Sequence, residues 1–210
     1  MTFNKYDLIV FDVDGTLYFQ NKLRMIMAGR LVGYYALRPW KFKDLLIIKE
    51  FRSLRDKAEN TDDLYEITAE KCKVSVDRVK AVIRKWIYEN PMDAVAESQD
   101  RELIEILESL KITGKQIAIW SDYEADDKLK ALGILCDLVY TAEQDRVKEL
   151  KPSPKGLKLI MMDTGTPANK TLMVGDRMVK DGEAAKAAGC DYVILSKNKR
   201  VRHAQLMSMK

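Results

Sequence analysis

Asp12 and Asp14 stand two residues apart at the end of an apolar run, Tyr6-Asp7-Leu8-Ile9-Val10-Phe11, and are followed by Gly15-Thr16-Leu17. Side chains at alternate positions of an extended strand leave on the same face. Both carboxylates can therefore face one site at the carboxyl edge of a sheet, where open α/β folds bind ligands. Two carboxylates this close repel unless a proton or a cation lies between them. Mg²⁺, which takes one or two carboxylates together with phosphate oxygens, suits the pair. The competing reading is a strand that ends in an Asp-Gly turn with a helix-capping acid. Taken alone, the segment leaves both readings open.

Three more polar segments follow. The strand expected at residues 116–120 leads into Ser121-Asp122, a loop carries Lys151-Pro152-Ser153-Pro154, and Leu172-Met173-Val174 leads into Gly175-Asp176, with Asp181 five residues on. Parallel strands would bring these ends to one edge, with several carboxylates, a hydroxyl and an ammonium together. Phosphoryl transfer needs such a set, because a carboxylate attacking an anionic phosphate requires a cation to offset the repulsion. Asp12 and Asp176 are candidates to hold a metal, and Ser121 and Lys151 to hold the phosphoryl oxygens. Asp12 is a candidate nucleophile that would form an aspartyl-phosphate. Asp14 is a candidate acid and base, protonating the leaving oxygen and then deprotonating water. Each residue also has a structural reading. Asp181 can cap a helix starting at Gly182, Ser121 can cap the segment after it, and Arg177 can pair with nearby acids. Asp122 reads as a turn or capping acid beside the phosphate-binding set.

The elements that must position these residues follow from periodicity. Residues 20–95 contain no convincing strand. Leu23, Ile26, Met27, Leu31 and Tyr34 recur at helical spacing before Pro39, and a second helix follows with Phe42, Leu45, Leu46, Ile48 and Phe51. A third helix is expected after Thr61-Asp62-Asp63, and a fourth from the cap candidate Ser75 through Val79, Val82, Ile83, Trp86 and Ile87 to Asn90-Pro91. From about residue 98, helices at 103–110, 124–132, 154–162 and 182–188 alternate with strands at 116–120, 138–140, 171–174 and 192–195. Such alternation predicts a doubly wound parallel sheet of the Rossmann-like α/β class, with an α-helical insert after the first strand. The expected division is a core of residues 1–17 and 96–210 and a helical domain of residues 18–95. The basic tail, residues 197–210, is expected to fray.

Composition narrows the function. The chain has 210 residues and a net charge of +4, which does not call for nucleic acid. Three scattered cysteines, Cys72, Cys136 and Cys190, have no metal-ligand spacing and suggest reduced thiols in a cytoplasmic protein. The single histidine, His203, lies in the tail, which argues against a histidine base or a histidine zinc site. No signal peptide is expected at the N-terminus and no apolar stretch approaches a membrane span. Lys22, Arg24, Arg30, Arg38, Lys41 and Lys43 form a stretch without an acid, interleaved with Tyr34, Tyr35, Trp40 and Phe42. It reads either as a solvated helical face or as a surface for an anionic ligand or membrane. Gly29 and Gly33 would permit close helix contact.

The ordered set of Asp12-Val13-Asp14-Gly15-Thr16, the strand ending in Ser121, Lys151 before a proline, and Gly175-Asp176 with Asp181 resembles the haloacid dehalogenase (HAD) superfamily. The helical insert resembles the small cap of one of its subclasses. The resemblance implies that Asp12 is nucleophile and Mg²⁺ ligand, that Asp14 is acid/base with its carbonyl on the metal, and that Ser121 and Lys151 bind phosphate. It implies Asp176 as a direct metal ligand and Asp181 as an acid behind it. An acid at position 14 resembles the phosphatase and phosphotransferase branch, and the expected activity is Mg²⁺-dependent hydrolysis of a small phosphorylated metabolite. The alternatives are phosphoryl transfer or a mutase reaction within the superfamily, or a non-enzymatic protein that binds anions or membranes through the basic insert.

Overall fold

The computed structural model describes residues 2–136 and 138–210. Its central element is β1 (Leu8–Phe11), whose four apolar residues have no accessible surface. A parallel strand in this position is covered on both faces. Alternation divides its side chains: Ile9 and Phe11 enter one apolar cluster, Leu8 and Val10 another. The neighbouring strands β2 (Gln116–Ser121) and β4 (Thr171–Gly175) run parallel to β1, with Phe11 beside Ile119 on one side and Val174 on the other. β3 (Leu138–Thr141) and β5 (Asp191–Ile194) complete the order β3-β2-β1-β4-β5.

Helices cover both faces. Leu103, Ile106 and Leu107 of α6 (Arg101–Ile112), Leu129 of α7 (Asp126–Ala131) and Leu206 of α10 (Lys199–Met207) pack on the Ile9 and Phe11 side. Leu157 and Ile160 of α8 (Lys155–Thr164) and Ala184 and Ala185 of α9 (Glu183–Ala188) pack on the Leu8 and Val10 side. The chain runs outward from β1 to β3 and then returns to β4 on the other side of β1. This reversal leaves a crevice beyond the carboxyl ends of β1 and β4.

Between β1 and β2 lie α1 (Gln20–Ala36), α2 (Lys43–Lys57), α3 (Leu64–Cys72), α4 (Val76–Ile83) and α5 (Met92–Glu97). They share an apolar cluster that includes Met27, Ile47, Phe51, Val79, Ile83 and Trp86. The two segments joining this insert to the sheet lie side by side. The Phe19 amide donates to Ser98 O at 2.8 Å, and the Asp100 amide to Leu17 O at 2.9 Å. No helix among the described residues is long and apolar enough to cross a membrane.

Several local expectations are corrected. Ser75 does cap α4, accepting from the Arg78 amide at 3.3 Å, but Asp63 precedes α3 at φ +55° and its side chain caps nothing. The fourth helix widens into a π-type turn over Arg84–Glu89, and Pro91 then starts α5, a helix too short for its periodicity to register. Val95 of α5 packs with the sheet's cluster while Ala94 packs with the insert's, so this helix spans the expected division at residue 95. Gly29 and Gly33 face open space and mediate no close contact.

The largest correction is the tail. Residues 199–207 form α10, capped by Asn198, whose side chain accepts from the Arg200 amide at 3.0 Å. Arg202 is 2% exposed. Its guanidinium donates to Gly15 O at 2.8 Å, to Thr16 O at 3.1 Å and to Asp100 at 3.2 Å. The basic tail therefore anchors the loop after β1 instead of fraying. Removing one partner of a buried ion pair leaves the other charge without compensation, which costs about 3–5 kcal/mol. Urea denaturation of Arg202→Met should register a loss of that size. Adding Asp100→Leu should restore part of it, and a neutral single variant would show that the pair does not hold the tail.

Candidate active site

The site is built at the carboxyl ends of β1 and β4. The Asp12 amide continues the ladder, donating to Val174 O at 2.9 Å. Thr16 Oγ1 donates to Asp12 Oδ2 at 2.8 Å. Between them Gly15 takes φ +97°, and a Cβ there would lie 2.5 Å from Asp176 Oδ2. Position 15 therefore needs glycine for both its backbone and its space. Gly175 makes similar room, since a Cβ at that position would lie 2.3 Å from the Asp181 carboxyl carbon.

Lys151 ties the segments together. It is 2% exposed, and its Nζ donates to Asp12 Oδ1 at 2.5 Å, to Asp181 Oδ1 at 2.7 Å and to Trp120 O at 3.2 Å. Burial favours loss of the lysine proton, but Asp12 and Asp181 overrule it and raise its pKa above the ordinary lysine value. The Asp122 carboxylate accepts from the Lys151 amide at 2.9 Å and so fixes the loop that carries the lysine. Asp122 also lines the cleft, but its carboxylate is used as a turn acid.

Asp12, Asp176 and Asp181 are all buried and offer oxygens within 4.8 Å of one another. Burial pushes the Asp12 carboxyl well above its ordinary pKa, against the pull of Lys151 and with further repulsion from Asp181 and Asp176. Burial followed by repulsion from Asp181 raises Asp176 as well. Three carboxylates and one ammonium leave an excess of negative charge that a divalent cation would balance. The donor set agrees. Asp181 commits one oxygen to Lys151 and the other to the Arg177 amide at 3.0 Å, whereas Asp176 Oδ1 is buried without a hydrogen-bond partner. Asp176 and Asp12 thus fit direct ligands of a hard cation, and Asp181 fits an acid behind them. Asp181 lies inside the wide turn Met178–Gly182 and braces it, so it does not cap the helix that follows.

Asp14 has different surroundings. Lys128 Nζ bridges both of its oxygens at 2.7 and 2.8 Å, and Tyr18 donates its hydroxyl to Oδ1. Burial pushes the Asp14 carboxyl up, but Lys128 and then Tyr18 outweigh it and hold its pKa below the ordinary carboxylate value. Ser121 is fully buried and does not line the cleft, and its Oγ accepts from the Tyr123 amide at 3.1 Å. No described residue accepts the Ser121 hydroxyl proton, so that donor is uncommitted.

The insert faces this site across a cleft of 740 Å³. Arg55 of α2 is buried against the loops after β2 and β3. It donates to Asp122 O and to Glu143 Oε1, the latter at 2.6 Å, and lies over the Tyr123 ring at 4.3 Å. Arg177 pairs with Asp56 of the same helix at 2.8 Å. The Leu150 amide donates to Glu59 O at 2.9 Å, which fastens the α2–α3 loop beside Lys151. Of the basic stretch, Arg30 pairs with Asp93 at 2.6 Å and Arg38 stacks on Tyr34 at 4.5 Å, while Arg24 lines the cleft. Trp40 is 75% exposed. Sequence reasoning missed Lys128, Arg55 and Arg202, which carry no motif. Thr16 was visible in the first motif, and its hydrogen bond to Asp12 gives it a function there.

Comparison with known proteins agrees with this fold. The profile of the haloacid dehalogenase-like hydrolases matches residues 9–195. The pyrophosphatase PpaX of Bacillus velezensis is 30% identical over 207 residues, covering 92% of this chain and 87% of its own. Among solved structures, a HAD phosphatase from Thermococcus onnurineus aligns with TM-score 0.63 at 22% identity, covering 92% of this chain and 87% of its own. The HAD hydrolase YfnB of Bacillus subtilis aligns with TM-score 0.66 at 15% identity, covering 97% and 99%. Its structure, bound to magnesium, reveals interdomain movement. At these identities the two structures speak to fold alone.

A cation that binds only the folded protein stabilises it by about 2.7 kcal/mol at a concentration one hundred times its Kd. Calorimetric melting of EDTA-treated protein should therefore shift upward with MgCl₂. Asp176→Asn, which removes one of the repelling carboxylates, should melt at or above the wild type in EDTA and fail to respond to Mg²⁺. A wild-type melt indifferent to Mg²⁺ would count against a cation at Asp12 and Asp176.

Proposed function

The chain belongs to the haloacid dehalogenase-like hydrolase family, and from that premise we propose that it is a Mg²⁺-dependent phosphatase that hydrolyses a small phosphomonoester through an aspartyl-phosphate on Asp12. The observation that carries this reading is the buried set of Asp12, Asp176 and Asp181 around Lys151, with one Asp176 oxygen free. In this reading Asp12 and Asp176 would hold the metal together with the Asp14 carbonyl, and Asp181 would support them from behind. The bound cation supplies positive charge that lets an anionic carboxylate approach an anionic phosphate.

Asp12 attacks phosphorus as the bond to the leaving oxygen breaks. Lys151 orients the nucleophile, would act with the cation to offset the burial that raises its pKa, and offers its charge to the phosphoryl oxygens as they gain density. The uncommitted Ser121 hydroxyl would supply a neutral donor to the same oxygens once a shift of the Ser121–Tyr123 turn exposes it to the cleft. Asp14 must first take up a proton against the pull of Lys128 and Tyr18; it then protonates the leaving oxygen and later takes a proton from the water that attacks the aspartyl-phosphate, regenerating Asp12. Lys128 and Tyr18 set where the Asp14 carboxyl points. Residues 18–95 act as a cap over a core of residues 1–17 and 96–210, closing on substrate to exclude bulk water. The paired connections at Leu17–Phe19 and Ser98–Asp100 support a hinge there. The pyrophosphatase relative favours transfer to water over transfer to a sugar.

Asp12→Asn keeps the size of the side chain and removes the nucleophile. Turnover of p-nitrophenyl phosphate in Mg²⁺ should fall by roughly 10⁴-fold or more, as when other covalent nucleophiles are removed, while the far-UV circular dichroism spectrum is retained. Activity surviving in a clean preparation of this variant would defeat the aspartyl-phosphate mechanism.

A further inference from the structure

The charges facing the cleft exceed what one phosphoryl group and its metal require. Eight basic and six acidic residues line it. Four of the basic residues are already held by carboxylates: Lys151 by Asp12 and Asp181, Lys128 by Asp14, Arg55 by Glu143 and Arg177 by Asp56. Lys180 is different. It is 8% exposed and lines the cleft, yet its ammonium makes no hydrogen bond or ion pair with any described residue. Its aliphatic stem is buried while its unpartnered ammonium stays accessible at the cleft, as long cationic side chains commonly do. Its position explains how it comes to be there. The wide turn Met178–Gly182 accommodates four residues between Asp176 and Asp181, and Lys180 is the last of them.

The insert presents unpaired cations to the same cleft. Arg24 of α1 and Arg52 of α2 both line it, both are exposed, and neither makes a hydrogen bond or ion pair with a described residue. Nearby arginines of the insert are not left in this way: Arg30 and Arg55 each have a carboxylate.

We infer that Lys180, together with Arg24 and Arg52, forms a second anion subsite, so that the substrate class is a small phosphate carrying another negative group, either a second phosphate or a carboxylate, close to the one transferred. This rests on the phosphatase reading of the site and adds the identity of the leaving part. Lys180 supplies a fixed charge from the core, while the two arginines, with forked donors suited to phosphate or carboxylate, meet the same group from the insert. A substrate with one anionic end would leave Lys180 unpaired when the cleft closes. A substrate with two would join both sides of the cleft.

Isothermal titration calorimetry at saturating Mg²⁺ separates the possibilities without turnover. The probes are methylenediphosphonate, phosphonoacetate and methylphosphonate, whose second group is a phosphonate, a carboxylate and nothing. The wild type should bind at least one of the first two about ten-fold or more tightly than methylphosphonate, and the preferred one identifies the second group. Lys180→Met should cut that preference to roughly three-fold or less, and the surface variant Arg52→Ala should reduce it in the same direction. Equal affinities in the wild type, or a preference unchanged in both variants, would overturn the subsite. Turnover of p-nitrophenyl phosphate by the same wild-type preparation tests the phosphatase reading separately. Activity without the binding preference would sink the subsite alone, and neither binding nor activity would sink both.

Discussion

Three carboxylates share a buried volume with one ammonium, and most of the molecule can be understood as the means of holding them there. Asp12, Asp176 and Asp181 come from two adjacent strands and the turn after the second, and Lys151 comes from a loop that reaches the site from the far side of β2. Left to themselves these acids would separate or take up protons, since each is desolvated and faces like charge. What prevents separation is covalent and steric. β1 and β4 are paired in register up to Phe11 and Val174, and both faces of the sheet are filled by helices. Gly15 and Gly175 allow the carboxylates to approach where any side chain would collide. The strain of crowding is thus borne by a core that cannot yield, and the charge is left for Lys151 and a cation to offset.

The insert adds a second surface without entering the sheet. Its helices pack mainly on one another, and it reaches the core through two adjacent connections, the Arg55 contacts, the Arg177–Asp56 pair and the α2–α3 loop. Apolar contacts join them where Val95 and Leu23 pack with the sheet's cluster and Tyr123 with the insert's. Exposed ion pairs contribute little to stability, and the Arg177–Asp56 pair is of that kind. Arg55 is the exception, buried and bonded to loops that follow β2 and β3.

Much of this could be read in advance. The alternating runs after residue 98 predicted the parallel sheet, and each strand appears within a residue or two of its expected place. Asp12, Asp176, Asp181 and Lys151 were legible because motif residues sit at strand ends, where topology forces them together. Ser121 was legible as a neighbour of the site, but not that the amide of Tyr123 would claim its oxygen. The tail was misread because Arg202 looks like any surface arginine in a basic segment. Its partners lie 186 and 187 residues away, at Thr16 and Gly15, and no local pattern points to them. α5 was missed for the opposite reason, since six residues do not hold enough turns to establish a period.

The two acids of the first motif mark where such reading stops. Their spacing predicts a common direction, and both do face the cleft. It says nothing of their charge, which the partners decide. Asp12 meets Lys151 but also Asp176 and Asp181, and in that company burial prevails and raises its pKa. Asp14 is gripped by Lys128 and Tyr18, so the same burial is overcome and its pKa falls. Lys128 stands 114 residues from Asp14, on a helix whose apolar residues predicted only that it would pack. Two identical side chains in one short motif therefore acquire opposite tendencies from elements folded in from elsewhere. That asymmetry is a property of the assembled fold and not of the motif.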